Sequence, residues 1–201
     1  MPGILSNLKS TVIAGFVATV VLYILVGGLT GSGFALDHDW FAFLFRWLHV
    51  LNGVMWIGLL WYFNFVQIPN MPNIPDDQKP AIGKVIAPAA LWWFRWAAMG
   101  TIATGLILAA MNGYLAGALT LGMSDGGAST PIGIGMWLGI IMWANVWFVI
   151  WPCQKKALGM VKVDDAEKAA SARTAMLFSR TNTLLSIPML YCMVAMQNGG
   201  F

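Results

Sequence analysis

The chain has two histidines, and His49 lies inside an apolar run. Arg46, His49, Gly53 and Trp56 fall at i, i+3, i+7 and i+10, so on a helix they share one face. That set suits a b-type haem. An imidazole ligates iron, and a glycine one turn away lets a flat macrocycle approach. An arginine one turn outward pairs a propionate, and a tryptophan packs on the ring edge. The same residues carry a second, structural reading. His49 would then be a neutral imidazole hydrogen-bonded to a neighbouring helix, with Arg46 snorkelling outward. Spacing alone leaves both open.

The sixth ligand is the weak point of the haem reading. His38 precedes His49 by eleven residues, about 16 Å along a helix axis, so it cannot share the iron unless the chain folds back. Met189 and Met193 are expected at about the depth of His49, and Met136 is a further option. A second His49 from a symmetric partner in a homo-oligomer, or an open position, serves equally well. Most of the thirteen methionines are expected to be packing.

A second polar group gathers near the opposite ends of the apolar runs. It comprises Asn64, Gln67, Arg95, Asn145, Gln154 and the run SRTNTLLS, which puts Ser179, Asn182 and Ser186 on one helical face. One reading is interhelical hydrogen-bond glue. The other is a pocket for a small polar substrate or a quinone head group, built from Arg95, Asn145, Arg180, Asn182 and Ser186. Trp92, Trp93 and Trp96 would supply its stacking surfaces.

These residues need membrane-spanning helices to hold them. Of 201 residues, 59% are hydrophobic and 9% charged, against about 25% charged in soluble domains. Mean hydropathy is +0.72. A secreted disulfide scaffold, a disordered chain and an ordinary soluble enzyme are thereby excluded. The expected fold is an all-α integral membrane protein, a bundle of about five transmembrane helices forming a single domain over 1–201. The spans read at approximately 11–29, 41–66, 91–112, 131–151 and 176–196, each long enough for about 30 Å of hydrocarbon. The stretch 114–123 is too short to span, and PNMPNIP at 69–75 reads as an irregular turn. The first run, with Lys9 before it and Gly33 and Ala35 after it, is long for a signal peptide and reads as a helix.

Charge sets the expected orientation. Lys9, the 67–90 loop and the 152–175 loop hold the basic residues, whereas the 30–40 and 113–130 loops hold Asp and no Lys or Arg. The positive-inside rule then puts the N-terminus in the cytoplasm and the C-terminus outside, periplasmic in a bacterium. The 152–175 segment reads as solvated helical extension of the last two spans. A net charge of +3 without a basic stripe argues for the lipid bilayer as partner and against nucleic acid.

Other chemistry is missing. Cys153 and Cys192 are far apart, and no C-x-x-C-H, H-E-x-x-H or glycine-rich phosphate loop occurs. The expected spans hold no Asp or Glu, and no inverted repeat is visible, which weakens a transporter reading.

Four stretches resemble the N-terminal family of membrane-bound urate oxidases (urate hydroxylases). RWLHVLNGVMWIGLLWYFNFVQIP at 46–69 looks like its first signature, and APAALWWFRWAAMGTIATGLIL at 87–108 is similar to the next helix. MWANVWFVIWPCQKK at 142–156 and SRTNTLLSIPML at 179–190 resemble its last two helices. The resemblance implies a bacterial inner-membrane helical bundle. In family members it is joined to a C-terminal cytochrome c domain and associated with oxidation of urate to 5-hydroxyisourate. No haem-attachment motif follows the last span here, so a separate cytochrome c or respiratory complex is the expected electron acceptor. The competing expectation is a non-catalytic small subunit of a large respiratory or photosynthetic membrane complex.

Overall fold

A computed structural model describes residues 2–31 and 36–200, so Gly33 and Ala35 lie outside the described residues. The chain divides into two compact units, Met1–Phe41 and Ala42–Phe201. Among the described residues the regular structure is helical throughout, with no strand.

In the first unit, a short helical turn at Pro2–Leu5 precedes α1 (Leu8–Thr30). The Asn7 side chain accepts the Ser10 N–H at 3.2 Å, and Gly31 closes the helix in the left-handed conformation at φ 66°. α1 is apolar on every side, and an α-helix satisfies its backbone internally, as a lipid-spanning segment must.

The remaining helices are α2 (His38–Asn73), α3 (Lys79–Met111), α4 (Leu115–Leu119), α5 (Thr130–Ala157) and α6 (Asp165–Asn198). α2 begins in the first unit and continues into the second. Four helices, α1, α2, α3 and α5, are long and apolar enough to cross a membrane. α6 has the length, at 34 residues, but Arg180 and Asn182 dilute its apolar run, and it is not one of the four.

Two expected boundaries move. PNMPNIP is not an irregular turn from its start, because α2 stays helical through Asn73. The third span begins at Lys79 rather than near residue 91. Both changes have one physical cause. Proline lacks an N–H and its ring crowds the carbonyl four residues back, which would normally break the helix. Here the chain widens into π-helical turns at Tyr62–Gln67, Ile82–Ile86 and Asn145–Ile150, each ending two residues before a proline (Pro69, Pro88, Pro152). In each, the residue before the proline donates its N–H five residues back: Ile68 to Phe63, Ala87 to Ile82, Trp151 to Val146. Each turn takes up the misfit, and the helix continues.

α5 and α6 extend past their apolar runs as expected for 152–175, joined at 158–164. Asp164 caps α6 by accepting the Glu167 N–H at 2.7 Å, and Lys156 pairs with Glu167 at 2.6 Å. The chain runs back and forth, so α2 and α5 start at the end where α3 and α6 finish; this is called the upper end. The core lies lower, around Trp56, Leu60, Phe94, Met142 and Val146, all at most 1% exposed. Phe63 and Phe94 pack edge to face in it at 5.8 Å.

Candidate functional site

A cavity of about 600 Å³ opens among α2, α3, α5 and α6 in their upper half. Small-molecule and cofactor pockets run roughly 300–1,000 Å³. Arg46, His49, Gly53 and Trp56 all line it. α2 is an uninterrupted α-helix from His38 to Trp61, so its 3.6-residue period brings the four to one face.

His49 is held from α3. Its Nδ1 donates to the Thr101 carbonyl at 2.8 Å, and the Thr104 hydroxyl lies 3.4 Å from the same nitrogen. That bond fixes the tautomer and leaves Nε2 as the bare ring nitrogen. Metal-binding histidines characteristically donate their other N–H to a carbonyl or carboxylate in this way. Gly105 makes room for the ring: a Cβ there would sit 2.8 Å from His49 Cε1 and 3.0 Å from Nδ1. At Gly53, by contrast, a Cβ would meet nothing within 4 Å, so α2 presents bare backbone to open space.

Trp56 is 1% exposed, yet its indole N–H has no partner. A buried unsatisfied donor costs roughly 1–3 kcal/mol. Here that donor belongs to a residue lining the cavity. At the upper mouth stand Arg46, Tyr114, Gln197 and Asn198. Burial pushes the Tyr114 phenol above its ordinary value, and the charge of nearby Arg46 partly opposes this. α5 and α6 contribute Met136, Met189 and Met193, which also line with His49 a smaller recess of about 50 Å³. His38 is absent from the lining; it is exposed, with Nδ1 3.4 Å from Asp39 Oδ1.

The lower polar group is arranged differently. Asn145 donates to Asn182 Oδ1 at 2.8 Å, and Asn182 donates to the Met142 carbonyl at 2.9 Å. Trp61 donates to Ser186 at 3.0 Å, and Asn64 to Ser179 at 2.8 Å. Asn182 and Ser186 are fully buried, so these bonds form a seam tying α6 to α2 and α5. Arg95 bonds its own Leu91 carbonyl at 3.2 Å, and its guanidinium carbon sits 3.4 Å from the Trp151 ring centroid. Arg180 is exposed, and Trp92, Trp93 and Trp96 are each about half exposed. Asn64 Oδ1 and Gln67 Oε1 stay buried without partners.

Sequence reasoning missed the α3 side of the cavity. Thr101, Thr104 and Gly105 form a short polar and small patch in an apolar helix, and that patch was the available signal. Tyr114, Gln197 and Asn198 sit at or beyond helix ends, where spacing carries no orientation. Both cysteines are free, and no cluster of three or more His, Cys, Asp or Glu occurs among the described residues.

The described residues are all-helical, and four helices are long and apolar enough to cross a membrane, which is compatible with a multi-pass membrane protein. Residues 122–199 match the family model described as urate oxidase N-terminal. The match supports the resemblance read in the sequence and covers its last two stretches, on α5 and α6. The stretches at 46–69 and 87–108, with His49 and Thr101, lie outside it. No curated protein and no solved structure matches the chain.

Proposed function

We propose that this chain is a redox protein of a bacterial inner membrane. It binds a b-type haem through His49, oxidises urate or a similar small molecule, and passes electrons to a separate cytochrome c or respiratory complex. Its upper end faces outward, by the positive-inside rule, and α6 makes a fifth crossing with its polar face covered by α2 and α5. One observation carries the reading: His49 lines a cofactor-sized cavity while its Nδ1–H is tied to a carbonyl, which leaves Nε2 as the unprotonated nitrogen. The residues fit the group. The mouth arginine, Arg46, pairs a propionate, Gly53 leaves space for a flat ring, and the unpartnered Trp56 N–H gains a neighbour. A b-type haem supplies one-electron redox chemistry within an apolar interior.

Hydroxylation of urate by water releases two electrons and two protons, so two one-electron deliveries to an acceptor balance each turnover. The lower seam serves as helix glue through Asn145, Asn182 and Ser186. If a substrate or quinone head group is held at that end, Arg95 and Arg180 supply the charge.

The test is a reduced-minus-oxidised visible spectrum of the purified protein, with a pyridine haemochrome assay. About one b-type haem per chain, lost in His49→Ala and reduced on adding urate, is the expected result. Haem-free protein that co-purifies in fixed ratio with a large complex would instead establish the accessory-subunit reading. Full haem content in His49→Ala would sink the ligand assignment.

A further inference from the structure

We infer that Met189 would hold the haem iron together with His49, as a histidine–methionine ligand pair; this rests on the haem reading above. Among the residues lining the cavity, the side-chain types that ligate iron are His49, Tyr114 and three methionines. Tyr114 follows α3 and lines the larger cavity near the charge of Arg46. The smaller recess excludes Tyr114 and keeps His49 with Met136, Met189 and Met193.

Burial separates the three methionines. Met189 is 6% exposed, whereas Met136 and Met193 are half-buried. Met189 continues the face of α6 set by Asn182 and Ser186, whose hydrogen bonds to α5 and α2 turn that face inward. It packs in the same core cluster as Trp56, which lines the cavity beside His49. His49 comes from α2 and is tied to α3, whereas Met189 comes from α6, so separate helices bring the two to one cavity. A thioether is neutral and needs no deprotonation in an apolar interior. Histidine–methionine ligation also raises the iron's reduction potential, which suits delivery of electrons to a cytochrome c.

The experiment uses full-length protein purified in detergent, comparing wild type with Met189→Leu, Met193→Leu and Met136→Leu. Leucine conserves volume and removes the sulfur. Near-infrared absorbance of the oxidised protein reads the thioether-to-iron band, and low-temperature EPR reads spin state. Expected are the band in wild type and its loss in Met189→Leu alone, with haem content retained, a shift toward high spin and a lower midpoint potential. A band kept in Met189→Leu, or absent from haem-loaded wild type, overturns the inference and leaves the haem reading standing. Wild type without haem overturns the underlying reading instead.

Discussion

Gly105→Ala probes the support behind His49 by adding one methyl group at a cavity-lining position that offers no ligand atom of its own. The added Cβ would lie 2.8 Å from His49 Cε1 and 3.0 Å from Nδ1. Non-bonded carbons ordinarily rest about 3.5–4.0 Å apart, so the ring must retreat by roughly 0.7 Å or more. Such a retreat stretches the 2.8 Å bond to the Thr101 carbonyl toward its limit. The net loss for that bond is about 1 kcal/mol, partly offset by alanine's helix preference of up to about 1 kcal/mol over glycine. Cofactor affinity is the more sensitive readout, because disturbing a histidine's supporting partner typically costs about 10–100-fold. The assay is haem titration into apo-protein, followed by the visible spectrum. Gly139→Ala is the matched control, since a Cβ there meets only Ile102 Cδ1 at 4.0 Å. It should bind normally and be slightly more stable. A Gly105→Ala protein with unchanged affinity and spectrum would refute the claim that the Thr101 bond positions His49.

Trp56→Phe removes the unpartnered N–H and keeps an aromatic ring, so apo-protein should lose little or no stability while haem dissociates faster; stopped-flow transfer to apomyoglobin measures the rate. Asn182→Leu strips partners from both Asn145 and the Met142 carbonyl. Interhelical hydrogen bonds in membranes average about 0.6 kcal/mol and reach about 1.7, so two lost bonds should cost about 1–3 kcal/mol. A detergent unfolding titration, with Asn145→Leu completing a double-mutant cycle, should show the two changes to be non-additive. The Ser129 hydrogen bonds hold the Asp125 carboxyl below the usual carboxylate range. Its support of the turn before α5 is therefore complete above that range and lost as pH falls through the depressed folded value. Amide exchange across 122–130 should quicken in acid, and Asp125→Asn should abolish that dependence.

Much of the upper site was legible because α2 keeps an unbroken α-helical period between Arg46 and Trp56. Four residues chosen by spacing alone reach one cavity for that reason. The face of Ser179, Asn182 and Ser186 was legible on the same ground, since α6 is a regular α-helix there. Which of its two readings holds depends on what faces it, and spacing on one helix carries no information about another. Trp61 and Asn64 close those bonds from α2, and so satisfy side chains that otherwise read as pocket-lining. Thr101 and Gly105 escaped notice because their contributions are a backbone carbonyl and a missing side chain. The length of α3 was hidden by Pro88, whose ordinary effect is to end a helix.

The three wide turns before Pro69, Pro88 and Pro152 bear on how such a chain can change length. An extra residue in an α-helix rotates everything beyond it by about 100°, which would turn a cavity-facing side chain toward lipid. A π-turn is where one residue has been taken in without lengthening the ladder by a full step. All three lie toward the lower ends of their helices, while the His49 cavity lies in the upper half. Single-residue insertions and deletions among related chains should therefore gather at these turns, inside the spans as well as in the loops. The phase of Arg46, His49, Gly53 and Trp56 would come through such changes intact.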